Sequence, residues 1–441
     1  MSNARNVVTV PMLTRSTTRR SRLAYDGMSR ARAGSPAATK GGQMARRDVS
    51  PDWAATLNRR EFVATTGVVV AGGLVLGVPS LGQETPAIET NIADFIKVPK
   101  GPHAIPGPFP GRVVKVTDAH ALADDKVDAK VVAAMFEHGV RSLTGTNMRK
   151  SFRMFFTTND VIGLKVNPVG APLISTKPEV VEATVRWLVD NGVRPHNIVI
   201  WDRYDLDLKS AGFTPEHFPG VRIEALQTMA DEGKSCRDAT GSHVSAGNFD
   251  PDAFYLLKGV FGKGVRGYQD DEFYFNQHVF NGERSYFGNL ITKRLTKIVN
   301  LAAYKNTGNG ISMATKNLGY AAICNTGRLH APLFFRVCTE VLAAPPVRDK
   351  LVLNVTDGLR AQYDDGPDKN EKFVYANNAL YFATDPFALD TVCHRELVAK
   401  RKAMGVNVNE HPKFTDYLHY AQRLGLGVAD PARITLVEVK A

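Results

Sequence analysis

The sequence predicts an α/β fold, with a mostly parallel central sheet, flanking helices and an irregular insertion at about 203–297 over the strand ends. Three observations predict it. Apolar runs at 161–166, 197–201, 298–302 and 350–355 have strand length and no polar face, as expected of parallel strands buried on both sides. Helical patterns alternate with them, most clearly after 178 and after 386, so strand–helix–strand crossovers follow. Finally, the runs end in polar residues, which suits a sheet whose carboxyl edge faces a ligand.

The chain of 441 residues is 44% hydrophobic, enough to bury a large core, and carries a formal charge of +11. That charge is uneven. Residues 1–82 hold 12 Lys and Arg against 4 Asp and Glu, which leaves 43 basic and 40 acidic residues for the remainder. The body is therefore near neutral, and nucleic-acid binding is disfavoured.

Residues 1–57 are rich in Arg, Ser, Thr and Ala without apolar periodicity and read as a disordered extension. Over 58–82, Asn58-Arg59-Arg60-Glu61-Phe62-Val63 resembles a twin-arginine export motif and leads into a moderately apolar, glycine-interrupted segment ending in Ser80-Leu81-Gly82. This predicts export by the twin-arginine (Tat) machinery and a periplasmic or extracytoplasmic protein. If the leader were retained it would serve as a membrane anchor. Residues 83–111 form a Pro/Gly-rich linker, and 112–441 the α/β domain.

Within that domain, 112–116 alternates as a strand, and Val127, Val131, Val132 and Met135 predict a helix over 126–138 stopped by Gly139. Pro178 and Glu179 open a helix that Gly192 closes. The insertion is aromatic and polar and contains His243 and His278. A further helix is expected over 328–342, and Asp385-Pro386 caps another that runs to Gly405. Its last turn, Lys400-Arg401-Lys402, reads as a solvated charge cluster, and His394, His411 and His419 as surface residues of a helical tail.

The strand-end residues are Lys165 and Asn167, Asp202 and Arg203, Lys305 and Asn306, and Asp357. Lys316 and Asn317 follow in the glycine-punctuated stretch 305–320. Lysines and amides together favour a small carboxylate or phosphate, which Lys165, Lys305 and Lys316 would neutralise and Asn167, Asn306 and Asn317 would orient. Backbone N–H groups around Gly308 and Gly310 could serve the same anion. Asp202 and Asp357 are the candidate catalytic carboxylates. With Asp385 and Asp390 they are also the candidate oxygen ligands of a divalent metal, although a helix N-cap accounts for Asp385 better than a metal does and Asp357-Gly358 is turn chemistry first. Cys236, Cys324, Cys338 and Cys393 form no C-x-x-C pair, which argues against an iron–sulfur cluster; Cys324 with Cys338 is the disulfide worth testing.

Taken together, 162–168, 177–181, 198–202, 305–319, 357–367 and 384–390 resemble the domain of unknown function 362 family, in order, over roughly 112–400. The resemblance implies an α/β domain without a settled activity and is consistent with a twin-arginine leader. Some relatives carry ferredoxin-type cysteine motifs that this chain lacks. Many have a histidine soon after the lysine matching Lys305, where this chain has Asn306, Thr307 and Gly308. The reading that results is an exported enzyme acting on a small anion, with a periplasmic anion-binding protein and an accessory partner of a redox complex as alternatives.

Overall fold

The computed structural model describes residues 88–123, 126–227, 249–259, 283–330 and 333–441, all within the unit Trp53–Ala441. The leader, Cys236, His243 and His278 lie outside the described residues.

The main sheet takes β1 (Arg112–Thr117) first, while β2 (Leu122–Ala123) and β3 (Lys126–Val127) form a separate two-stranded sheet. Next come β4 (Ile162–Lys165), β5 (Ile198–Tyr204) and β6 (Arg222–Gln227); β7 (Phe249–Leu256) and β8 (Arg284–Gly288) form a separate hairpin. The long strands β9 (Lys297–Thr307), β11 (Leu351–Gln362) and β12 (Val374–Ala383) follow, with β10 (Gly310–Ser312) folded back on β9 and β13 (Thr435–Lys440) at the end of the chain. The spatial order is β13-β1-β12-β11-β9-β4-β5-β6. From β11 to β6 every neighbouring pair is parallel, whereas β12 runs antiparallel to both β11 and β1. The sheet is thus mostly parallel, as predicted, but mixed.

Chain order places the site. The chain lays down β4, β5 and β6 outward in one direction, then returns to the opposite side of β4 to lay down β9 and β11. The reversal falls between β4 and β9, and a reversal of this kind opens a crevice at the carboxyl ends of the two strands.

Helices cover both faces. Helices Ala129–Thr144 and Pro178–Asp190 pack Val132, Phe136, Val181 and Trp187 against Leu164, Ile200 and Val355. On the other face, helix Arg336–Ala343 and the β7–β8 hairpin bury Val337, Val341, Tyr255 and Phe287 with Trp201 and Ile298. The described part of the insertion therefore covers a sheet face rather than the strand ends. β6 is part of the main sheet, so the insertion begins later than residue 203. Among the described residues, no helix is long and apolar enough to cross a membrane.

Some predicted boundaries shift. Gly139 does not end its helix, which runs to Thr144 and stops at Gly145 in the left-handed conformation (φ 71°). Gly139 is required inside the helix because the ring of Phe382 packs onto it: a Cβ there would lie 2.1 Å from a ring carbon. The helix expected at 328–342 is a short 3-10 turn, Gly327–Leu329, followed by helix Arg336–Ala343. Helix Pro386–Ala403 starts as predicted, with Asp385 accepting from the N–H groups of Phe387 and Ala388 at 3.0 Å each. Arg401 in its last turn is buried rather than solvated: it binds Asp364 Oδ1 at 2.7 Å and donates to Gly308 O and Asn309 Oδ1. His394, half-buried on the same helix, also holds this hairpin, its Nε2 lying 3.3 Å from Asn309 O.

Candidate functional site

A row of polar side chains crosses the sheet at the carboxyl end of β4, where the strand order reverses. Lys165 on β4 is in register with Asn300 on β9, and Asn300 with Asn354 on β11. Asn300 Nδ2 donates to Asn354 Oδ1 at 3.0 Å and to Ala314 O at 2.9 Å, and Asn300 Oδ1 accepts from Asn317 Nδ2 at 2.8 Å. Asn317 Oδ1 in turn accepts from Lys165 Nζ at 2.8 Å. Lys165 also donates to Val166 O and pairs with Asp202 Oδ1, both at 2.5 Å. All five side chains are buried, and a buried network of this kind is favourable only when its groups are satisfied. Here the ammonium uses all three of its donors.

Helix Ala314–Gly319, only six residues long, lies on this row and carries Lys316 and Asn317. Asp390, from helix Pro386–Ala403, anchors its start, accepting from Ala314 N (2.9 Å), Thr315 N (3.0 Å) and Thr315 Oγ1 (2.5 Å). Its carboxyl is nevertheless pushed up to about 6, because burial outweighs these bonds.

Lys305 and Lys316 differ from Lys165. Lys305 is 1% exposed, and its Nζ donates to Val169 O at 2.6 Å, with no carboxylate at ion-pair distance among the described residues. Burial, reinforced by Lys316, pulls its ammonium down to about 7. Lys316 Nζ lies over the rings of Tyr320 (5.4 Å) and Phe334 (5.5 Å), and burial lowers it too. Two half-buried carboxyls belong to the same field. Asp207, on helix Asp205–Ser210, is raised to about 6 by burial and then by Asp202, against the pull of Lys305 and Lys165. Asp368 is raised by burial and opposed by Lys305 and Lys316.

His330 completes the edge. Its Nδ1 lies 3.0 Å from Thr326 O, and its ring packs 4.8 Å from Tyr320 and 5.3 Å from Phe334. Burial, then Lys316, pushes the imidazole down to about 3, so it is neutral at physiological pH. Arg203 donates to Thr326 Oγ1 from the neighbouring strand β5. Asn167 exchanges backbone–hydroxyl and backbone–backbone bonds with Thr176, while its buried Oδ1 has no hydrogen-bond partner among the described residues. An amide oxygen left in that state is costly unless something else satisfies it.

The other predicted residues do structural work. Asn306 fixes a turn: its Nδ2 donates to Gly308 O and its Oδ1 accepts from Gly366 N. Gly308 N–H points to Gly366 O, and Gly310 is paired with Thr307 in the β9–β10 hairpin, so this glycine loop does not present its amides to an anion. Asp357 accepts from Lys177 N at 2.7 Å at the start of helix Pro178–Asp190 and from Leu359 N at 3.1 Å. Asp385 adds Gly111 N and Val428 N to its helix cap. Asp202, Asp357, Asp385 and Asp390 thus have four separate sets of partners, and among the described residues no three His, Cys, Asp or Glu side chains are grouped as a metal would require. Cys324, Cys338 and Cys393 are buried, and Cys324 and Cys338 are not joined by a disulfide.

A surface cleft of about 380 Å³ lies elsewhere, lined by His394, Lys402, Asn409, Glu410, His411 and Phe414. Its Lys402 and Glu410 pair with each other, whereas Lys305 at the strand ends is buried with no carboxylate at ion-pair distance among the described residues. The crevice is therefore the stronger candidate.

The topology is that of an α/β protein with a mostly parallel sheet, and the polar cluster at its strand reversal is a candidate switch-point site. A family model described as a domain of unknown function (DUF362) matches residues 283–395. The matched segment supplies Asn300, Lys305, Lys316, Asn317 and Asn354 but not Lys165, Asp202 or Asp207, and it is narrower than the 112–400 span of the motif resemblance. No curated protein and no solved structure matches the chain.

Proposed function

We propose that the protein is an exported α/β enzyme that binds a small anionic substrate, a carboxylate or phosphate, at the carboxyl ends of β4, β5 and β9. One observation carries this reading: Lys305 and Lys316 are buried or half-buried ammonium groups, Lys305 lies in the field of Lys316, and neither has a carboxylate at ion-pair distance among the described residues. Burying unpaired cations is costly, and an anionic ligand would remove that cost. Lys165, Asn317, Asn300 and Asn354 form the platform, and Asn167 Oδ1 is available to a donor on the ligand. Asp207 replaces Asp357 as the candidate acid–base group, because it is half-buried, next to the lysines, and titrates near 6.

Thermal denaturation of the full chain with inorganic phosphate, sulfate and a panel of short mono- and dicarboxylates tests the site. At least one anion is expected to raise Tm, and Lys305→Ala and Lys316→Ala to abolish the increase. Unchanged Tm with every anion would overturn the reading. Export rests on Arg59-Arg60 and the segment that follows. In cell fractionation, the Arg59→Lys/Arg60→Lys variant should remain cytoplasmic while the unaltered chain is exported.

A further inference from the structure

We propose that Lys305 is a nucleophilic amine that condenses reversibly with the carbonyl carbon of a small aldehyde or ketone carrying a carboxylate or phosphate. This rests on the anion site above and names its substrate class. The geometry sets Lys305 apart from its neighbours. Lys165 Nζ is consumed by Asp202 Oδ1, Val166 O and Asn317 Oδ1. Lys316 Nζ lies over two aromatic rings. Lys305 Nζ, in a residue 1% exposed, has one acceptor among the described residues, Val169 O at 2.6 Å, and so keeps a lone pair uncommitted when neutral.

The charged groups facing Lys305 come from every neighbouring element: Lys165 on β4, Asp202 on β5, Asp207 on helix Asp205–Ser210, Lys316 on helix Ala314–Gly319, and Asp368 after β11. A desolvated lysine beside a second cation keeps much of its amine neutral, which is how a lysine becomes a nucleophile near neutral pH. Burial and Lys316 act in that direction here. Lys316 would hold the anionic group of the carbonyl compound.

The reaction needs no oxidant or reductant. The Nζ lone pair attacks the carbonyl carbon and the oxygen gains a proton. The resulting carbinolamine then loses water, leaving a C=N bond to Nζ. Asp207 and Asp368 are the nearby carboxyls that could pass the proton.

Pyridoxal 5′-phosphate, an aldehyde with a phosphate, is a suitable probe. The full chain is incubated with it near neutral pH, reduced with borohydride and mapped by peptide mass spectrometry. The expected result is label on Lys305, formed about tenfold or more faster than on an exposed lysine such as Lys97. Inorganic phosphate should suppress it. Lys316→Ala should slow the labelling without moving it, and Lys305→Arg, which keeps the charge but not the amine, should abolish it. Label spread over exposed lysines, or preferring Lys316 or Lys165, overturns the proposal even if Lys305→Arg fails to fold. If phosphate raises Tm but Lys305 stays unlabelled, only the amine chemistry falls. If phosphate neither raises Tm nor blocks labelling, both readings fall.

Discussion

Lys165 and Lys305 stand on neighbouring strands, yet the first is paired with a carboxylate and the second, among the described residues, is not, and this difference decides what each does for the fold. Lys165 and Asp202 are 1% and 7% exposed and 2.5 Å apart. Removing one partner strands the other charge, so Asp202→Asn should destabilise the protein by about 3–5 kcal/mol in urea unfolding, and the double change Lys165→Met/Asp202→Leu should recover most of that loss. Lys165, Asp202, Lys305, Lys316 and Asn317 were legible in the sequence because each follows or interrupts an apolar run where packing does not require it. Asn300 and Asn354 were not. Each is a single amide inside an otherwise apolar strand, at Val299-Asn300-Leu301 and Leu353-Asn354-Val355, and only the register shows that the two face each other. Asp207 and His330 were missed for a related reason: what distinguishes them is burial near Lys305 and Lys316, which spacing along the chain does not reveal.

Helix Ala314–Gly319 is too short to persist alone. Its place depends on Asp390 at its start and on Asn300 beneath Ala314. Asp390→Ala leaves two backbone N–H groups and a hydroxyl without their acceptor, at a cost of about 2–4 kcal/mol. Hydrogen exchange should then speed up over residues 313–320 while β4 and β5 stay protected; uniform acceleration would show that the helix is not a separable element. At this scale the sequence was informative about starts and less so about ends. Asp385-Pro386 marks its helix directly, because capping is a local event. Gly139 misled, because a glycine that admits the Phe382 ring and a glycine that stops a helix look the same until the partner is known.

Across the whole molecule, the parallel strands could be predicted from their apolar runs, but their order could not. The antiparallel course of β12 and the recruitment of β6 and β13 depend on which edges are open once the other strands have paired. Acidity acts at this scale too. Lys305 titrates near 7 in the fold, well below an unfolded lysine, so between about pH 7 and 10 the unfolded chain binds the extra proton and stability should rise with pH. Asp207, Asp357, Asp385 and Asp390, each raised to about 6, act at lower pH: from roughly 4 to 6 the folded chain holds the extra protons, and stability should fall as pH rises. Urea midpoints across the range should trace both limbs, and Lys305→Met should flatten only the alkaline one. An unchanged alkaline limb in that variant would show that Lys305 does not titrate as described.

The position of β9 also bears on folding. It is an inner strand, flanked by β4 and β11, yet it enters the chain only after β4, β5 and β6. The early strands must therefore keep an edge open until a distant segment arrives, and pairings between distant segments form slowly. Because β9 carries both Asn300 and Lys305, sheet closure and assembly of the crevice are one event. A chain stalled before that step would expose the open edge of β4 and would have no crevice with which to capture a ligand.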